Sequence, residues 1–157
     1  MIYRFKSFSI VLLCLILISC SSNDQPSKEQ ILSQSITQIE NRFEARSMSE
    51  IVEFISEDYQ DEYGRTLRDI KRIIQIQILR HKTVYIFTSI GDVVWTDDKN
   101  VKVQIAAAMA GKPIESASLL TSVRADMINF TVDFVLEDDI YKVKSATWKW
   151  ARPHDFL

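Results

Sequence analysis

The stretch "INFTVDFVLEDDIYKVKSATWKW" (residues 128–150) alternates apolar and polar side chains and is interrupted once, at "EDD" (137–139). Residues two apart on a strand point to the same face of a sheet, so this period of two predicts two half-buried strands. A short polar interruption between such runs is typical of an antiparallel hairpin. We expect one strand over roughly residues 118–136 and the next over 140–150. The apolar face of the first would carry Ile128, Phe130, Val132, Phe134 and Leu136.

Two further strands are predicted before this hairpin. "TVYIFTSI" (83–90) is rich in β-branched and aromatic residues, is interrupted at Gly91-Asp92, and resumes as "VVW" (93–95). "VKVQIAAAMA" (101–110) alternates in the same way after the polar turn "TDDKN" (96–100). Because short turns join consecutive antiparallel strands, the four strands are expected to form a meander.

Ahead of His81 the apolar period changes to that of helices. Three Ser or Thr residues are each followed three positions later by Gln, Glu or Asp, which is the spacing of a helix N-terminus. These pairs are Ser27 with Gln30, Ser47 with Glu50, and Thr66 with Asp69. Helices grouped before strands indicate the α+β class, with three N-terminal helices packed on an antiparallel sheet.

The N-terminus reads as a secretory signal. Arg4 and Lys6 precede the apolar run "FSIVLLCLILI" (8–18), which is shorter than the roughly 20 residues that a membrane-spanning helix needs. The following "LISC" (17–20) resembles the lipobox of bacterial lipoproteins. That resemblance implies that Cys20 is lipidated and becomes the mature N-terminus. An ordinary signal peptide or an uncleaved anchor is the alternative.

The predicted organisation is therefore a lipoprotein signal peptide over 1–19, a lipidated tether over 20–27, a folded domain over 28–151 and a tail over 152–157. Acyl chains on Cys20 would attach the protein to a membrane, since each buried methylene contributes about 0.8 kcal/mol. By the same resemblance, Ser21 implies sorting to the outer membrane. The expected location is the cell envelope, at the periplasmic inner face of the outer membrane.

Composition excludes several classes of function. Cleavage would remove Arg4 and Lys6 from 19 basic residues and leave 17 against 21 acidic ones, a formal charge of −4. This balance argues against nucleic-acid binding, which requires a basic patch. With Cys14 removed, only Cys20 remains, so no internal disulfide can form. His81 and His154 are isolated, so no metal site is expected, and nothing in the sequence indicates a cofactor.

The element order resembles that of the nuclear transport factor 2-like superfamily over residues 28–151. The resemblance rests on that order and on the segments "EDYQDEYG" (57–64) and "YKVKSATWKW" (141–150). It implies a strongly curved sheet that closes a cone around a pocket, with helices over the opening. Members include ketosteroid isomerase-like, dehydratase-like and polyketide cyclase-like enzymes with an Asp or His in the cone. Many members pair through the outer sheet face, which implies a homodimer.

Candidate site residues follow from these patterns. Asp126 interrupts an apolar strand, and Asp58 and Tyr59 lie in the loop before the third helix together with Asp61 and Tyr63. Such groups could act as acid or base in an apolar cone, although no catalytic set of the superfamily matches this chain residue by residue. A ligand pocket would be lined by Trp95, Phe130, Tyr141 and Trp148. Ordinary core packing is the favoured interpretation for most of these aromatic residues, and the alternative is that some line a ligand pocket or form a dimer surface.

Three functional hypotheses remain at this point. The favoured one is a non-catalytic, membrane-anchored lipoprotein whose domain binds a small apolar ligand or an envelope protein partner. The alternatives are an isomerase, dehydratase or hydrolase that uses a pocket Asp as base, and a structural or assembly subunit of the envelope.

The substitution Cys20→Ala tests the anchor. We expect the variant to leave the membrane fraction or to accumulate as an unprocessed precursor, because it lacks the thiol that would carry the lipid. Fractionation of cells with immunodetection of the chain measures both outcomes. A variant that is processed and retained in the membrane like the wild type would contradict the lipobox interpretation.

Overall fold

The computed structural model describes residues 25–157. The predicted signal peptide, Cys20 and residues 21–24 of the predicted tether lie outside the described residues. The helices are α1 (Lys28–Glu44), α2 (Met48–Val52) and α3 (Leu67–Arg80). The strands are β1 (Tyr85–Trp95), β2 (Asn100–Ala110), β3 (Ala125–Glu137) and β4 (Ile140–Trp150). Two 3₁₀ turns cover Ala117–Thr121 and Pro153–Phe156.

Two of the predicted helix starts are complete capping boxes. At α1 the Gln30 N–H donates to Ser27 Oγ at 3.3 Å, and the Ser27 N–H donates to Gln30 Oε1 at 2.8 Å. At α3 the Thr66 N–H donates to Asp69 Oδ2 at 3.0 Å. These bonds satisfy N–H groups that the first turn of a helix leaves unpaired. At α2 the Ser47 hydroxyl instead donates to the Glu50 carboxylate at 2.8 Å.

The four strands form an antiparallel meander in the order β1-β2-β3-β4. The interruption expected at Gly91-Asp92 is a bulge inside a single strand, because Ile90 pairs with Ile105 while Val93 pairs with Val103. A second bulge lies in β4 where the register shifts opposite Asp133 and Phe134. Bulges bend a strand and increase its twist. The fold class is confirmed: three helices pack on a strongly curved antiparallel sheet.

The prediction of a strand from residue 118 is wrong for its first part. Residues 117–121 form a 3₁₀ turn, and β3 begins at Ala125. The Thr121 hydroxyl donates to the Ser118 carbonyl at 3.2 Å, and the Ser122 hydroxyl donates to the Leu119 carbonyl at 3.0 Å. Such local bonds from short polar side chains compete with strand pairing.

The first half of α1 packs on the concave face of the sheet. Leu32 and Ile36 lie in one buried cluster with Val103 of β2 and Phe134 of β3. The Tyr141 N–H donates to the hydroxyl of the buried Ser35 at 3.0 Å, which ties α1 to the start of β4. This contact satisfies a backbone group that burial removes from water.

The outer face of the sheet is partly covered by the C-terminal residues. Phe156 is buried in a cluster with Ala106, Ala108 and Leu120, and its ring centroid lies 6.2 Å from that of Phe87. Small alanines on β2 leave room for this ring. Residues 153–156 therefore pack on the sheet together with the turn at 117–121.

Candidate functional site

A cavity of about 350 Å³ lies between the concave face of the sheet and the helices. Its wall is apolar apart from Glu40, Gln77, Thr88 and the phenol of Tyr59. Side chains from all three helices and all four strands contribute to the wall. Among them are Ile39, Phe43, Ile73, Ile105, Ile128, Phe130 and Trp148.

Helix α3 covers the cavity and is held at both ends. At its N-terminal end the Arg65 guanidinium lies 4.1 Å over the Trp148 ring. At its C-terminal end Arg46 donates from Nη2 to the Ile78 carbonyl at 2.9 Å and from Nη1 to the Lys82 carbonyl at 3.0 Å. Between these two contacts, Ile73 and Ile74 of α3 line the cavity.

Glu40 brings a carboxyl group to this wall. The Thr88 hydroxyl of β1 donates to Glu40 Oε1 at 2.5 Å. Burial raises the pKa of Glu40, and the charge of Glu44 raises it further, while the hydrogen bond from Thr88 acts in the opposite direction. The second oxygen, Oε2, receives no hydrogen bond from residues 25–157.

A second polar group joins Tyr59, Asp61 and Arg65. The buried Tyr59 hydroxyl donates to Asp61 Oδ2 at 3.3 Å, and Arg65 Nε donates to the same oxygen at 2.6 Å. Asp61 Oδ1 accepts the backbone N–H groups of Tyr63 at 2.9 Å and Arg65 at 3.1 Å. Four donors therefore fix this carboxylate within the loop that precedes α3.

The two acidic groups of this cluster titrate far apart. Burial acts to raise the pKa of Asp61, but hydrogen bonds from the Arg65 backbone and side chain, the Tyr63 N–H and the Arg65 charge lower it overall. Burial and the neighbouring Asp61 charge raise the pKa of Tyr59 to about 12. Asp61 is therefore ionised and Tyr59 neutral at physiological pH, which suits a fixed structural hydrogen bond.

The structure separates the predicted catalytic residues from the cavity. Asp58 is exposed in the loop after α2. The Asp126 side chain is 57% exposed, and its Oδ2 lies 3.9 Å from Nε2 of His81 at the end of α3. Neither residue lines the cavity, whereas Tyr59 does.

The four aromatic residues predicted to form a pocket divide into two pairs. Phe130 and Trp148 line the cavity, with their ring centroids 6.4 Å apart. Trp95 and Tyr141 do not line it, and for these two the pocket prediction needs correction. They pack edge to face at 5.8 Å in the core, where Lys28 Nζ lies 4.5 Å over the Trp95 ring. Trp95 ends β1 and Tyr141 is the second residue of β4, and both lie under the first half of α1.

Glu40 and Thr88 were missed by sequence reasoning, although both carry a signal. Glu40 follows Ile36 by four residues and precedes Phe43 by three, so it lies on the apolar stripe of α1. Thr88 alternates with Ile86 on β1 and therefore shares its face. A charged residue on the apolar face of a helix is the more informative of the two signals, since burying it is costly.

Within residues 25–157, no group of three or more His, Cys, Asp and Glu side chains is placed to hold a metal ion. Within the same range, no helix has the length and apolar character needed to cross a membrane.

Comparison with solved structures identifies the fold. A provisionally named scytalone dehydratase from Novosphingobium aromaticivorans superposes with a TM-score of 0.61 at 12% identity, covering 76% of this chain and 81% of that one. A protein of the NTF2-like family from Streptomyces avermitilis, provisionally named a dehydratase, gives 0.58 at 12% identity, covering 76% and 94%. Bd1075 from Bdellovibrio bacteriovorus gives 0.59 at 12% identity and covers 76% of this chain, which spans only 39% of that protein.

No protein-family model matches this sequence, and no curated protein matches it. The likeness to the structures above is one of fold, at low sequence identity. The described domain thus has the nuclear transport factor 2-like fold, a class of curved-sheet cones whose concave face surrounds a cavity.

Asp61→Asn tests the role assigned to the Tyr59–Asp61–Arg65 cluster. We expect the free energy of unfolding at neutral pH to fall by about 2–3 kcal/mol, because a charged hydrogen-bonded acceptor is lost while Arg65 keeps its charge. Since the folded-state pKa of Asp61 is lowered, its contribution is present above the unfolded pKa of about 3.9 and is lost as the pH falls through the lower folded-state pKa. Urea unfolding at several pH values measures both effects.

Asp58→Asn is the matched control in the same loop, since the Asp58 side chain is exposed. Its unfolding free energy should stay within about 0.5 kcal/mol of the wild type. Equal losses in the two variants, or a deficit for Asp61→Asn that persists unchanged at low pH, would contradict the assigned role.

Proposed function

We propose that this chain is a membrane-anchored periplasmic lipoprotein whose cone-shaped domain binds a small apolar ligand without transforming it. The observation that carries the proposal is the cavity of about 350 Å³ with an almost wholly apolar wall. This volume lies within the range of small-molecule sites, which are typically concave, apolar and supplied with few polar groups.

Filling this cavity is favourable on physical grounds. An apolar wall offers water few hydrogen-bond partners, so water in such a space is readily displaced by an apolar molecule. Each square ångström of apolar surface removed from water contributes about 25 cal/mol. Phe130 and Trp148 add large aromatic surfaces from β3 and β4, and Ile73 and Ile74 face them from α3.

A second candidate function is general acid–base catalysis in the same cavity. Glu40 favours it, because a carboxyl group on an apolar wall with a raised pKa is suited to proton transfer. Two of the solved structures with this fold bear provisional dehydratase names. Binding remains the preferred proposal because Asp58 and Asp126 lie outside the cavity and Glu40 is already hydrogen-bonded to Thr88.

The proposed location rests on the lipobox-like "LISC" at residues 17–20. Lipid on Cys20 would hold the domain near the inner face of the outer membrane, and residues up to Ser27 would join anchor to α1. An apolar ligand taken from or delivered to that membrane would then travel only a short distance. An envelope protein or a second copy of the chain docked on the domain is the alternative partner.

Ala107→Phe tests whether ligand enters the cone. Ala107 lines the cavity from the central strand β2, so a phenyl ring there occupies ligand space. We expect the affinity for a neutral apolar dye such as phenylnaphthylamine to fall by roughly tenfold or more, because ligand burial depends on the free concave volume. Fluorescence titration of the domain over residues 25–157 measures the change.

Gln104→Phe places the same ring on the same strand but on the exposed outer face. This control should bind the dye with wild-type affinity, and thermal melts of both variants would verify folding. Saturable dye binding that Ala107→Phe leaves intact would place the dye elsewhere and contradict the proposal.

A further inference from the structure

We propose that the cavity selects apolar molecules that carry a hydrogen-bond donor such as a hydroxyl group, and discriminates against apolar acids. The selecting feature is an acceptor site formed by Glu40 and Thr88 on the cavity wall. This inference rests on the proposed function, since it names the chemistry of the ligand that the same cavity would bind.

The first argument is the free acceptor capacity of Glu40. A carboxylate has two oxygens and about four lone-pair positions, of which Thr88 Oγ1 occupies one at Oε1. Oε2 receives no hydrogen bond from residues 25–157. Oε2 is open to solvent rather than buried, so a ligand hydroxyl that reaches it would replace water as the donor to a charged acceptor.

The second argument is that Thr88 and Gln77 add hydrogen-bonding groups to an otherwise apolar wall. The Thr88 hydroxyl donates its one hydrogen bond to Glu40, so its oxygen can only accept a further hydrogen bond. Gln77 lines the cavity from α3, and its amide can both donate and accept. A ligand hydroxyl has a single proton, which it can donate to Glu40, while its own oxygen can accept from a donor such as an amide N–H.

The third argument is the sign of the charges. No Lys or Arg is among the cavity-lining residues within 25–157, and the nearby Arg65, which lies 4.1 Å over the Trp148 ring, is paired with Asp61 at 2.6 Å. Glu40 lines the wall, and Glu44 lies one turn further along α1, where its carboxylate accepts the Ile86 N–H at 2.7 Å. A ligand carboxylate would lose its hydration and meet negative charge, both of which are unfavourable.

Three probes with a ten-carbon main chain separate these effects: decanol, decyl methyl ether and decanoate. The ether has no donor and no charge, and decanoate at neutral pH has no donor and a negative charge. Competition of each probe with a bound neutral dye gives relative affinities for the domain. We expect decanol to bind roughly tenfold more tightly than either of the other two, which is the effect of one hydrogen bond to a charged group.

Two substitutions assign the selectivity to Glu40. Glu40→Leu removes the acceptor, and we expect decanol and the ether to become equal within about twofold. Glu40→Gln keeps an acceptor oxygen and removes the charge, so it should retain a preference for decanol over the ether while decanoate gains affinity. Glu53→Leu is the control, because it makes the same glutamate-to-leucine change at an exposed position. It should leave the relative affinities of the three probes unchanged.

The possible results are distinct. Tight binding of all three probes without a preference for decanol, or a preference that Glu40→Leu retains, would overturn the acceptor site while leaving an apolar ligand-binding function intact. Failure of the dye and of every probe to bind would instead overturn the proposed function. If Glu40→Leu does not fold, Glu40→Gln provides the test, because its affinity for decanoate is expected to rise.

Discussion

The packing of α1 across the concave face of the curved sheet is the constraint on which the rest of the structure depends. The N-terminal half of the helix fills one part of the cone, where Leu32 and Ile36 meet Val103 and Phe134. In its C-terminal half, Ile39, Glu40 and Phe43 line the cavity, while the Glu40 carboxylate accepts a hydrogen bond from Thr88 of β1. The hydrogen bond from the Tyr141 N–H to Ser35 sets the position of the helix along the sheet.

The other elements follow from that arrangement. Bulges in β1 and β4 bend the sheet, and α1 covers only part of the resulting concave face. A further helix, α3, therefore covers the remaining part of that face. The loop after α2 pairs with β4, since the Val143 N–H donates to the Phe54 carbonyl at 2.8 Å and the Ser56 N–H to the Val143 carbonyl at 3.0 Å. This pairing positions Tyr59, Asp61 and Arg65, and Arg65 then contacts Trp148 where α3 begins.

The regular elements could be predicted from the sequence because their signals are local. Alternation identified β2, most of β3 and β4, and the side-chain spacing at Ser27, Ser47 and Thr66 located three helix starts. The 3₁₀ turn before β3 was missed because hydroxyl groups at Thr121 and Ser122 bond to nearby carbonyls, which apolar alternation does not register. Trp95 and Tyr141 were assigned to the pocket because the sequence does not indicate where α1 lies over the sheet.

The site itself depended on contacts between distant parts of the chain. Glu40 meets Thr88 across 48 positions, and only the tertiary structure brings them together. The superfamily resemblance implied an acid or base in the cone, so Asp58 and Asp126 were predicted for that role. Glu40, on the apolar stripe of α1, was not considered. A carboxyl kept there at a cost in desolvation is a local conflict with the fold, and such conflicts concentrate at functional sites.

The central claim is that the cavity holds a small apolar molecule in the cell. The most direct measurement is purification of the full-length acylated protein from its own envelope, followed by mass spectrometry under native and denaturing conditions. Our account predicts an apolar, hydroxyl-bearing molecule released on denaturation in about equal number to the protein, and absent from Ala107→Phe prepared in the same way. An empty cavity in protein that copurifies with a stoichiometric envelope partner would contradict it.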